Sequence, residues 1–205
     1  MSYRFLSPLA LVVALMAIAP ARATGLLDAP LSFSAMRTVT VNGTPYTGQM
    51  FHIPGHERHE QVLLGMQEVF LLDDVQQAGL VVMPALKTMI EFQFPPLLAA
   101  LTDPAMRGDA VGEEKVGDIA ATKYRVAKTA PDGTRGDGFL WVSRRGVLLK
   151  MAGTVTAPGG HRTTIDMALS DVKEAPQNAA LFTPPSGLNK LPAQALAPLL
   201  GINLQ

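Results

Sequence analysis

LSFSAMRTVTVNGTPYTGQMFHIPG, residues Leu31 to Gly55, holds two runs of partly alternating apolar and polar residues, one ending at Asn42-Gly43 and the next at Pro54-Gly55. Alternation with period two marks a half-buried strand. Asn-Gly supplies the two left-handed residues of a tight hairpin turn, so the two runs are expected to pair antiparallel. Leu31 to Val41 is therefore the first strand and Tyr46 to Ile53 its return, stopped by Pro54-Gly55.

The same grammar continues outward. Arg58 to Leu64 and Glu68 to Leu72 are the next predicted strands, and the acidic and amide cluster Asp73-Asp74-Val75-Gln76-Gln77 turns the chain. Leu80 to Met83 and Lys87 to Phe92 flank Pro84-Ala85-Leu86. At Phe94-Pro95-Pro96 the pattern breaks; proline is tolerated in a first helical turn, so a short helix is predicted from Pro96 to Leu101. Gly108 to Gly112 reads as a loop. A second meander follows, with strands at Tyr124 to Lys128, Gly138 to Ser143, Val147 to Val155 and Arg162 to Val172, punctuated by Pro131-Asp132-Gly133, Arg145-Gly146 and Pro158-Gly159-Gly160. Ala179 to Phe182 is a predicted helical turn, Pro184-Pro185-Ser186-Gly187 closes the domain, and residues 191–205 form an apolar tail.

Upstream, Arg4 precedes an apolar run from Leu9 to Ala19, and Ala21-Arg22-Ala23 has the small residues of a signal-peptidase site. The run is shorter than the roughly 20 residues that span a bilayer, so an export signal over residues 1–23, cleaved before Thr24, is expected, with the protein working in the periplasm. The remaining length, about 180 residues, suits one domain, residues 24–190, before the tail. The chain contains no cysteine. That excludes disulfide scaffolds and thiol redox chemistry, and it leaves no residue to carry a lipoprotein anchor, so a free, diffusing protein is expected. Of 17 basic and 17 acidic residues, Arg4 and Arg22 lie in the leader, leaving a slight acidic excess. Nucleic acid is not an expected partner for such a charge balance, and no basic cluster marks an anionic-lipid surface beyond peripheral or transient membrane contact.

Alternation assigns faces. Phe139 and Trp141 share one face of their strand, Val147, Leu149 and Met151 one face of theirs, and Ile165, Met167 and Leu169 one of the last, with Lys150, Thr164 and Asp166 opposite. One side of the sheet is apolar and must be covered. The helices available are the Pro96 segment and an N-terminal piece around Leu26 to Leu31, besides the tail. Either the sheet curls on itself or it leaves an apolar hollow for a ligand.

In this order the motifs resemble the LolA/LolB-like periplasmic lipoprotein-carrier superfamily, closest to its uncharacterised exported branch of outer-membrane lipoprotein-sorting-like domains. The segments that carry the resemblance are Phe51 to Glu60 around the Pro-Gly turn, Met83-Pro84-Ala85-Leu86-Lys87 to Glu91, and Gly117 with Thr122 to Val126. Gly138 to Val142 and Leu181-Phe182-Thr183-Pro184-Pro185-Ser186-Gly187 complete the set. The resemblance implies a mainly β (α+β) fold, a strongly curved antiparallel sheet forming an unclosed barrel with short helices over its concave face. It implies acyl chains of lipoproteins or other lipids as partners, transport to the outer membrane, and Arg58 as the arginine that gates the lid by bonding loop carbonyls. His59 stands where an aromatic is common in the carriers.

The expected hydrophobic lining is Met83, Met89, Phe92, Leu97, Leu98, Phe139, Trp141, Leu149, Met151 and Met167. Methionine is frequent in the mature chain, and its flexible thioether suits either an adaptable cavity or ordinary core filling. His52, His56, Glu57, His59 and Glu60 form the one cluster with ligand chemistry. Two residues separate His56 from His59, short of the helical zinc-protease spacing, so the cluster reads as solvated turn residues and no metal or cofactor is expected. No Gly-x-Ser-x-Gly elbow or phosphate loop is present, and the pairs Asp73-Asp74 and Glu113-Glu114 fall in predicted turns, so the expectation is not an enzyme. A second reading is a structural or regulatory envelope module that acts through a protein partner.

Overall fold

The structure, a computed structural model, describes residue 26, residues 29–63 and residues 65–192. The expected signal and its cleavage site, and the tail from residue 193 onward, lie outside the described residues. Twelve strands form one sheet. In chain order they are β1 (Phe33–Val41), β2 (Thr44–Ile53), β3 (His56–Leu63), β4 (Met66–Asp73), β5 (Ala78–Met83), β6 (Thr88–Gln93), β7 (Asp109–Val116), β8 (Ile119–Thr129), β9 (Arg135–Ser143), β10 (Leu148–Thr156), β11 (Arg162–Glu174) and β12 (Asn189–Leu191). One α-helix, α1 (Pro96–Thr102), sits between β6 and β7.

The spatial order is β12-β6-β5-β4-β3-β2-β1-β11-β10-β9-β8-β7, antiparallel throughout except for β12, which runs parallel to β6. The two predicted meanders are thus joined along β1 and β11, and the sheet ends in two edges without closing into a barrel. Phe70 and Leu72 on β4 stand seven strand steps from Val126 on β8. On a flat sheet, at about 4.8 Å per step, they would be more than ~30 Å apart. They nevertheless border the same cavity, so the sheet is curled.

Register breaks promote that curl. They fall on β1 against β11 between Ser34 and Met36, on β10 against β9 between Leu148 and Lys150, and on β7 against β8 between Ala110 and Gly112. Strand β2 pairs with β1 from Thr44 to His52 but with β3 only from Met50 to Ile53. At the fork the chain needs Gly48: a β-carbon there would sit 1.6 Å from the Glu60 carbonyl oxygen.

Each predicted strand exists, with shifted ends. Four local expectations are corrected. Lys87, expected to begin a strand, is the left-handed residue (φ 49°) that ends the 3-10 turn Pro84–Leu86. Most of the expected loop Gly108 to Gly112 belongs to β7, and Glu113-Glu114, expected in a turn, lie on that strand. Leu191, the first residue of the expected tail, is the last residue of β12.

Register also fixes the faces. Met151 pairs with Leu140 and Met167, and Leu140 with Tyr124, which puts these residues on the inner face. Phe139 and Trp141 share a face as expected, but it is the outer one, because they pair with Ala152 and Lys150. There Trp141 is 5 % exposed. Its Nε1 donates to Glu114 Oε2 at 2.7 Å, and Lys123 and Lys150 lie 4.9 and 4.5 Å from its ring centroid. Aliphatic stems with charged tips cover the indole where no helix is available.

Candidate functional site

The concave face encloses a cavity of about 750 Å³. Its apolar wall comes from Phe33, Val39 and Val41 on β1, Met50 on β2, Phe70 and Leu72 on β4, Val126 on β8, Leu140 on β9, Leu148 and Met151 on β10, and Ile165 and Met167 on β11. Leu97, Leu98 and Leu101 of α1 border it from the loop that connects the two meanders. Part of the floor is bare backbone: Gly136, Gly138 and Gly153 lie along it, and neighbours such as Phe139 and Ala152 border the cavity although alternation points their side chains outward. Gly136 is also the seat of α1, since a β-carbon there would stand 3.2 Å from Leu97 Cδ2.

Of the expected lining, Leu97, Leu98, Met151 and Met167 meet at the cavity, and Phe139 borders it while its ring lies under Lys123 on the other face. The other five do not reach it. Trp141 is on the outer face, and Leu149 is buried among Phe33, Ala35 and Leu169 beneath the wall. Met83 and Phe92 pack with Val81 and Ile90 on β5 and β6, and Met89 faces outward against Val69, Leu71 and Val82. The reason is register. Strands β5 and β6 lie beyond β4, past the part of the sheet that curls over the hollow.

Arg58 does bond a loop carbonyl, with Nη1 donating to Leu181 O at 2.9 Å while Nε pairs with Glu60 at 2.7 Å. Its neighbours Glu57 and His59 point into the cavity, so Arg58 points away, and the segment it holds is the 3-10 turn Ala179–Phe182. This contact lies on the convex side of the sheet, away from the cavity.

Sequence reasoning misplaced the histidines. Expected in solvent, His52 is 1 % and His59 5 % exposed. Pairing of Met50 with His59 and His52 with Glu57 aligns these four residues on the inner face, whereas His56 and Glu60 face out. His52 stacks on Phe33 at 4.8 Å between ring centroids, with Nδ1 2.9 Å from Leu31 O. His59 Nε2 donates to Glu57 Oε2 at 2.7 Å. Arg37 on β1, absent from every sequence expectation, joins this wall and donates to Gln61 Oε1 at 3.4 Å. The signal that could have found it is parity: Phe33, Ala35, Arg37, Val39 and Val41 alternate on one face of β1.

Burial and charge tune the group. Burial lowers the His59 pKa and Arg37 lowers it further, against the hydrogen bond to Glu57, so its imidazole is neutral at pH 7. Burial pushes the Glu57 carboxyl up, but the hydrogen bond from His59 and the surrounding positive charge, Arg37 above all once His59 is neutral, outweigh it, and the carboxyl stays ionised. Burial also lowers the Arg37 pKa, which leaves a guanidinium charged. Among the described residues no group of three His, Asp or Glu is placed to hold a metal ion. No described helix is long and apolar enough to cross a membrane.

What these elements define is an unclosed half-barrel of antiparallel strands with an apolar cavity under a short helix and a polar stripe on one wall. No family model matches the chain, and no curated protein does. Similar solved structures include an uncharacterised conserved protein from Thermus thermophilus (10 % identity, TM-score 0.49, covering 80 % of this chain and 91 % of that one). Another is a LolA superfamily protein from Nitrosomonas europaea (11 % identity, TM-score 0.43, 78 % and 93 %). A third is MucB of Pseudomonas aeruginosa in its complex with MucA (17 % identity, TM-score 0.46, 77 % and 57 %), so this chain spans little more than half of MucB.

Proposed function

We propose that the protein is a non-enzymatic binding protein of the periplasm that holds a lipid, lipoprotein acyl chains or another hydrophobic ligand in the concave face of its half-barrel, in transit to the outer membrane. The observation that carries this reading is the cavity itself. A volume of about 750 Å³ falls within the roughly 300–1,000 Å³ of small-molecule sites, and its wall is apolar with a few polar groups, the composition such sites share. Affinity would come from sequestered alkyl surface, about 0.8 kcal/mol per methylene. The leader expected over residues 1–23 supports the location, and the bare glycine floor leaves room for a chain to lie against the sheet.

Native mass spectrometry of the protein released gently from a cell envelope tests the reading. A bound apolar mass, lost in Met151→Glu and Met167→Glu variants that keep the native circular dichroism, is the expected result. A chain that is empty as isolated, and that takes up no alkyl probe when one is added, would overturn it and favour a scaffold acting through protein contacts.

A further inference from the structure

The cavity is largely apolar, and along the stripe where β1, β2 and β3 meet two polar groups are under-used. The Arg37 guanidinium carries five N–H donors. Its one hydrogen bond among the described residues is the 3.4 Å contact with Gln61, beyond ordinary N–H···O length. His59 Nδ1 is buried and has no hydrogen-bond partner, although the ring's other nitrogen is fixed by Glu57. Both residues border the cavity. Leaving a buried polar atom such as His59 Nδ1 unpaired is costly, and with the half-buried Arg37 beside it the arrangement is the expected mark of a missing partner.

The geometry points to a head-group subsite: Arg37 and His59 receive the carboxylate of a single-tailed amphiphile whose alkyl chain lies along Met151, Met167 and the glycine floor, and the anion enters together with one proton. This rests on the reading of the cavity as a ligand site and names the class of ligand. The charge balance carries it. Arg37 and Glu57 cancel, and His59 is neutral before binding. With Nε2–H donating to Glu57, neutral His59 offers only a lone pair at Nδ1, which repels an anion. Protonation turns Nδ1 into a donor and makes the stripe singly positive, matching a singly negative head group. The charged or titratable groups facing His59 are Arg37 from β1, His52 from β2 and Glu57 from its own strand. Elsewhere on the cavity wall, Asp74 lies at the β4–β5 turn, Tyr46 is on β2, and Asp137 pairs outward with Arg125 at 3.5 Å. Glu57 disfavours a second negative charge, so a dianionic head group is the poorer fit.

Calorimetric titration of the full chain with decanoate, decanesulfonate and decanol tests this. Decanoate and decanesulfonate should bind at least about tenfold more tightly than decanol near pH 6, the scale of one charge-assisted hydrogen bond. The sulfonate's own charge is constant, so its tightening between about pH 8 and pH 6 reports the protein, and buffers of different ionisation heat should register uptake of one proton as His59, ordinarily titrating near 6.5, is charged. Arg37→Gln should reduce decanoate to the level of decanol; His59→Gln should abolish the pH dependence. Equal binding of all three probes without proton uptake overturns the subsite and leaves the apolar cavity standing. Binding of none overturns the function proposed above as well. The proton uptake of the unmodified protein decides the matter even where a variant fails to fold.

Discussion

At His59 burial and pairing pull in opposite directions, and the outcome sets how the protein responds to acid. Its folded-state pKa lies below the ordinary value, so below about pH 6.5 the unfolded chain binds the proton first and stability falls as pH drops. Glu57 is also depressed, which adds a second loss as pH falls through the carboxylate range. The midpoint of thermal unfolding is therefore expected to decline from about pH 6.5 downward. In His59→Gln the upper part of that decline should flatten while the part below about pH 4.5 remains. A pH series of calorimetric melts separates the two. The same residue shows where sequence reading stopped. Next to Pro54-Gly55, a histidine among charges reads as solvated, and only the pairing of His59 with Met50 reveals that it faces inward. Arg37 was hidden for the same reason, since a cation on an alternating strand counts against the core until the core proves to be a hollow.

At the scale of elements, the parts that carried turn residues were legible and the parts held by backbone alone were not. Asn42-Gly43 and Pro54-Gly55 located β1, β2 and β3 because those turns require particular backbone angles, and both glycines have positive φ. Strand β7 has no apolar period, is almost wholly exposed, and is recruited by its ladder to β8. Strand β12 is three residues, too short to pattern. Helix α1 rests on Gly136 through the buried Leu97. Leu97→Ala is expected to cost about 2 kcal/mol, the low end for a buried leucine at a site that already has space beside it, read by urea unfolding. On the convex side, Arg58→Ala removes a charged hydrogen bond to the Leu181 carbonyl. It should cost about 1.5 kcal/mol and speed proteolysis within residues 175–188, with cavity binding unchanged.

Taken whole, the described residues form a sheet with two margins, β12 and β7, each a row of backbone groups on which another copy could pair. β7 carries Glu113, Glu114 and Lys115, all exposed, in the manner of edges protected by charge. Replacing Glu113 and Lys115 by valine should leave the melting midpoint nearly unchanged and produce concentration-dependent oligomers in size-exclusion chromatography. Curl, hollow and edges belong to this scale; alternation announced an apolar face that must curl on itself or leave a hollow, while the register breaks that promote the bend had no residue signature. The outer-face position of Trp141 has a practical consequence. It is the chain's only tryptophan, and it is separated from the cavity by the thickness of the sheet. Its fluorescence should therefore follow unfolding, and the titration of Glu114, whose hydrogen bonds from Lys123 and Trp141 hold its pKa low, while staying silent when the hollow fills. An optical assay of occupancy would need a new indole on the inner wall, for which Tyr124, paired with Leu140, is a suitable position.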